Sequence, residues 1–94
     1  MSFKIKTIVF DAYFEKEFEI YKKRLSKKKI EKLKERLIIF RNNPFDQRLK
    51  THKLKGKLRN YWVFSIGHSD RLMFRFLNKD EVFFINIGDH SIYK

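Results

Sequence analysis

Three histidines, His52, His68 and His90, are spread through the second half of the chain, each within two positions of a lysine or an aspartate. An imidazole has an ordinary pKa of about 6.5, so it can take or give a proton near neutral pH. The three are candidates for acid–base chemistry, with Asp70 the acidic side chain nearest to His68. They lack the His-Glu-x-x-His spacing of a metal-binding helix, and the chain has no cysteine. That pattern points to neither a metal site, a thiol nucleophile nor a disulfide framework. No glycine-rich phosphate loop and no nucleophile elbow occurs, and no cofactor is implied.

The second kind of chemistry is cationic. Lys50, His52, Lys53, Lys55, Lys57 and Arg59 fall within ten positions, and the net charge is +12 on 94 residues. Such a field favours an anionic partner: a nucleic acid, an acidic protein or an anionic membrane surface. Arg71 and Arg75 follow on an apolar run, with Met73 between them. Guanidinium groups bind phosphate through paired hydrogen bonds, so these two are phosphate-binding candidates. His68, in a turn, reads first as a surface residue, Trp62 as core, and Gly56 and Gly88 as backbone-geometry positions.

The elements that must position these groups follow from apolar periodicity. Residues 1–94 suit one domain, and the 16 aromatics supply a large apolar core. Phe3, Ile5, Thr7 and Val9 alternate with Lys4, Lys6 and Ile8, a strand with Phe3, Ile5, Thr7 and Val9 on one face. Asp11 then caps a helix whose stripe is Phe14, Phe18, Tyr21 and Leu25. Ser26 caps a second, with stripe Ile30, Leu33, Leu37 and Phe40, ending at Asn42-Asn43-Pro44. Strands follow over 61–66, 71–77 and 82–87, joined by turns short enough for hairpins. The prediction is an α+β fold of order β-α-α-β-β-β: an antiparallel meander joined by the N-terminal strand, with a two-helix hairpin on one face. The near-continuous apolarity of the last strand places it inside the sheet. Arg71, Met73 and Arg75 then point away from the helices. No signal peptide or membrane span is read at the N-terminus, and the absence of cysteine suits the cytoplasm.

The element order, the segment NPFDQRLKTHKLKGKLRNYW, the strand DRLMFRF and the terminal INIGDHSIY together resemble the RelE/ParE superfamily of toxins, in particular its YafQ-like branch. The resemblance covers the whole chain, and its specific part runs from Leu49 to Tyr93. It implies the toxin of a type II toxin–antitoxin pair. Such a toxin is a metal-independent endoribonuclease that cleaves messenger RNA on the ribosome to a 2′,3′-cyclic phosphate and a 5′-hydroxyl. Its other expected partner is a cognate acidic antitoxin that covers the basic surface. The chain would be a monomer alone and a hetero-oligomer with the antitoxin.

By the same resemblance, His52 matches the histidine of a His-x-Leu-x-Gly segment and His90 that of a terminal Gly-x-His. Asp70 matches the acidic residue at the mouth of the strand, and Tyr93 a terminal aromatic. Arg71 stands where the YafQ-like branch has Trp, but matches the arginine that RelE and YoeB place there. The implied roles are His90 as general acid, His52 or Asp70 as general base, Arg71 stabilising the phosphorane and Tyr93 stacking. Lys50, Lys53, Lys55, Lys57, Arg59, His68 and Arg75 would bind RNA. Ser65 lies near the place of the branch's mid-strand histidine, and Trp62 and Phe64 near that of RelE's strand lysines. Two alternatives stand beside this reading. One is a ParE-like gyrase inhibitor without hydrolysis, the other a degenerate toxin that binds only antitoxin and DNA.

Overall fold

The computed structural model describes residues 4–89 and 92. Helix α1 (Ala12–Lys23) starts as expected, the Asp11 carboxylate accepting a hydrogen bond from the Phe14 amide at 2.9 Å. Helix α2 (Lys27–Asn42) starts with the Ser26 hydroxyl accepting from the Lys29 amide at 3.3 Å. It stops before Pro44, whose ring disfavours helical backbone at Asn43; that residue is extended (φ −162°, ψ 102°).

Strands β1 (Thr7–Phe10), β2 (His52–Lys53), β3 (Trp62–Ser65), β4 (Arg71–Asn78) and β5 (Glu81–Gly88) form one sheet in the order β1-β5-β4-β3-β2. The meander β3–β4–β5 is antiparallel, and β1 joins beside β5 in parallel, leaving β5 inside the sheet. This is the expected α+β architecture with one strand added. β2 pairs His52 with Val63 and Lys53 with Trp62.

The face of β1 differs from the sequence expectation. Ile8 pairs with Val82 and Phe10 with Phe84, so Ile8 and Phe10 face the helices, while Thr7 and Val9 face away. The cause is local. The amides of Lys6 and Thr7 both donate to the Asp80 carbonyl, which breaks the alternation. Ile5, before the break, is still buried, and its amide donates to the Arg41 carbonyl at 2.8 Å. Phe3 lies outside the described residues.

Both helices pack on the same face. Phe14 of α1 and Leu33, Ile39 and Phe40 of α2 share one core with Phe64, Leu72, Phe74, Val82 and Phe84. Phe40 is its hub, stacked on Phe64 at 4.5 Å between centroids and edge-on to Phe74 at 4.9 Å. Such ring pairs add about 0.5–1.5 kcal/mol each beyond their buried area. The opposite face is not bare: Val63 and Met73 lie on it with 0% and 3% of their surface exposed. It carries a buried apolar floor with polar groups around it.

Candidate nucleic-acid interface

Pairing register fixes which side chains share the face opposite the helices. Ser65, Arg71 and Gly88 form one row across the sheet, and His52, Val63, Met73 and Asn86 the next. Strands are spaced about 4.8 Å apart, so His52 lies about 10 Å from β4, across Val63. Arg71 and His52 therefore flank the same apolar floor.

His52 is oriented by backbone. Its Nδ1 lies 3.0 Å from the Lys50 carbonyl oxygen. A carbonyl only accepts, so Nδ1 carries the proton, and the neutral ring presents Nε2 with a free lone pair. Lys50 has φ +52°, the left-handed conformation, at the end of a 3-10 turn over Gln47–Leu49. That turn is pinned by Asp46, whose carboxylate accepts from the Arg48 guanidinium at 2.9 Å and from the Arg48 amide at 3.0 Å. These bonds hold the Asp46 carboxyl down at about 2. The strained backbone at Lys50 thus aims a carbonyl at His52, a role the sequence did not reveal.

Asp70 goes elsewhere. Its Oδ2 accepts a hydrogen bond from the Tyr21 hydroxyl at 2.5 Å, and Tyr21 belongs to α1. The carboxylate therefore lies on the helix side of the sheet, opposite to Arg71, and does not join Arg71 and His52. Only its backbone meets that group, the Asp70 carbonyl accepting from Arg71 Nη1 at 3.0 Å. Burial and then the Asp70 carboxylate push the Tyr21 phenol well above its ordinary range. His68, exposed in the turn, lines a hollow on that same helix side with Tyr21, Lys29, Lys32 and Asp70. The sequence put Tyr21 on a core stripe; a signal was present, because a buried tyrosine needs a partner for its hydroxyl.

The cationic segment is the rim. From Gln47 to Ser69 the sequence contains no acidic residue and six Lys or Arg. Lys50, Lys53, Lys55, Lys57 and Arg59 are all exposed. The pleat splits them: Lys53 lies opposite Trp62, on the other face from His52, while Lys55, Lys57 and Arg59 sit on the loop between β2 and β3. Gly56 starts a second 3-10 turn in that loop with φ +69°. Arg75 is exposed on β4, its guanidinium 5.5 Å from the centre of the Phe83 ring. Ser65 is buried and paired with Arg71. His90 and Tyr93 lie outside the described residues; β5 ends at Gly88, directly across from Arg71.

Among the described residues no group of three or more His, Cys, Asp or Glu could hold a metal ion. No described helix is long and apolar enough to cross a membrane. A groove of about 600 Å³ opens beside β1, lined by Ile8, Phe10, Phe14, Phe18 and Leu37, and at its mouth Ile38 is 63% exposed.

No family model matches the chain, and no curated protein does. Solved structures match over nearly its whole length. YafQ from E. coli strain BL21(DE3) is 22% identical with a TM-score of 0.73, covering 92% of this chain and 94% of that one. A chain of the E. coli DinJ-YafQ toxin-antitoxin complex is 22% identical with a TM-score of 0.70, at 90% and 92% coverage. The YoeB/ParE toxin from Agrobacterium tumefaciens is 20% identical with a TM-score of 0.68, at 89% and 98%. The chain has the RelE/ParE-like toxin fold, with YafQ among the structures that share it.

Proposed function

We propose that this chain is the toxin of a toxin–antitoxin pair and that it cleaves messenger RNA on the ribosome. The observation that carries the reading is His52, held by the Lys50 carbonyl in the tautomer that leaves Nε2 free to accept a proton, across an apolar floor from Arg71. In the reaction a ribose 2′-hydroxyl attacks the adjacent phosphorus. The P–O2′ bond forms, the P–O5′ bond breaks, and a 2′,3′-cyclic phosphate and a 5′-hydroxyl result. His52 Nε2 takes the 2′-hydroxyl proton. His90, two positions beyond Gly88 in the sequence, returns a proton to the leaving 5′-oxygen. Arg71 neutralises the charge that grows on the phosphorane. Tyr93 stacks on a base, and the exposed cations of residues 50–59 track the backbone.

Asp70 is left out of the proton transfers because its carboxylate is bonded to Tyr21 on the helix side. It anchors the turn that starts β4. The antitoxin is an acidic chain that covers the basic rim. The apolar groove beside β1, where Phe10 stays 48% exposed, offers it a seat away from the RNA face.

The test is brief induction of the chain in bacteria, followed by mapping of messenger RNA 5′ ends. Codon-phased new ends are expected, reduced about 10²–10⁴-fold by His52→Ala, comparably reduced by Arg71→Ala, and retained in Asp70→Asn. Loss of cleavage in a folded Asp70→Asn protein would move the base from His52 to Asp70. Growth arrest with intact messages would point to a gyrase-type target, and no arrest to a toxin that only binds its antitoxin and DNA.

A further inference from the structure

Beyond His52 and Arg71, the face away from the helices holds a polar cleft of about 460 Å³ that no part of the cleavage chemistry uses. It is lined by Asn60, Tyr61, Arg75 and Phe76. Trp62 pairs with Phe74, so Tyr61 and Arg75 are the next opposed positions along the same two strands, on the outward face. The Tyr61 backbone is clamped on both sides: its carbonyl accepts from the Leu54 amide at 2.9 Å and its amide donates to the Leu58 carbonyl at 2.9 Å. The ring is thereby anchored at the base of the cationic loop. Arg75 rests on Phe83, so its guanidinium is placed as well as exposed. Asn60 is exposed, and its side-chain amide makes no hydrogen bond among the described residues.

These groups match the parts of an unpaired nucleotide. An aromatic ring gives a base a stacking surface. An unengaged carboxamide offers one donor and one acceptor to a base edge, and a fixed guanidinium takes a phosphate. Arg75 lies four residues along β4 from Arg71, about 13 Å at strand rise. The cleft is thus too far from Arg71 to hold the phosphate being cut.

We infer that Asn60, Tyr61 and Arg75 form a nucleobase-reading subsite that binds a nucleotide flanking the scissile one, Tyr61 stacking on its base, Asn60 reading its edge and Arg75 holding its phosphate. This rests on the reading of the chain as an RNA-cutting toxin. The subsite would set which messages are cut, as distinct from how fast the bond breaks.

The experiment uses the whole chain and a set of short single-stranded RNAs, fully 2′-O-methylated so that no 2′-hydroxyl can attack, with amide NMR as the readout. Addition of RNA is expected to shift the Asn60 side-chain amide and the Tyr61 backbone amide. Tyr61→Leu, which keeps an apolar side chain at this half-buried position, is expected to weaken binding about ten-fold. Arg75→Gln should lower the slope of log affinity against log salt by about one. Asn60→Ala should level the preference among sequences; in cells it should redistribute the cut sites. Failure of the wild type to bind, or wild-type binding and sequence preference in folded Asn60→Ala and Tyr61→Leu, would overturn the subsite. If the wild type cuts no message in cells, the functional reading falls, and the methylated-RNA titration still decides the subsite.

Discussion

Tyr21 and Asp70 stand 49 positions apart in sequence and share a 2.5 Å hydrogen bond. The bond separates Asp70 from its chain neighbour Arg71: along a strand, adjacent side chains serve opposite faces. In sequence Asp-Arg reads as one unit, whereas the pleat sends the carboxylate to the helices and the guanidinium to the opposite face. Tyr21→Phe removes the hydroxyl donor while keeping the ring, and should lower stability by about 1 kcal/mol at neutral pH, measured by chemical denaturation. The pH dependence has a definite sign. Desolvation first, and the Asp70 carboxylate second, hold the folded phenol above its ordinary value. Its contribution is therefore complete below about pH 10, where the unfolded phenol is also neutral, and is lost as pH rises beyond that. Denaturation of Tyr21→Phe should show a shallower alkaline loss than the wild type.

At the scale of elements, the caps and stripes of both helices were legible because each obeys a local rule: Asp11 and Ser26 accept from amides three residues on, and Phe14, Leu33 and Phe40 recur at helical spacing. The meander was legible for the same reason. What escaped was set by contacts between distant parts. β2 is two residues long, too short for any period, and exists because β3 offers it an edge. β1 reversed its faces because Asp80, from the other end of the chain, accepts from two consecutive amides. Between β2 and β3 the loop depends on backbone more than on side chains. A methyl at Gly56 would meet nothing within 4 Å, yet φ is +69° there. Gly56→Ala should therefore cost about 1 kcal/mol through backbone strain alone, read as a lower denaturation midpoint with an unchanged slope.

For the molecule as a whole, charge and apolar content were plain from composition, and the way they divide was not. Aromatic rings concentrate between sheet and helices around Phe40, while the acid-free segment 47–69 collects cations along β2 and the loop that follows it. The candidate site was half legible: residue types marked His52 and Arg71, but the Lys50 carbonyl that sets the His52 tautomer depends on a left-handed φ. β1, at the sheet's edge, has β5 as its neighbour, the first strand made beside the last. During synthesis at about 5–20 residues per second, Phe10 waits roughly 4–14 s for Glu81 to be added, and longer for it to clear the exit tunnel. Until then the sheet is open, the core around Phe84 is incomplete, and the row of Ser65, Arg71 and Gly88 does not exist. The face that carries His52 and Arg71 is thus assembled only after the last strand has been made and has paired.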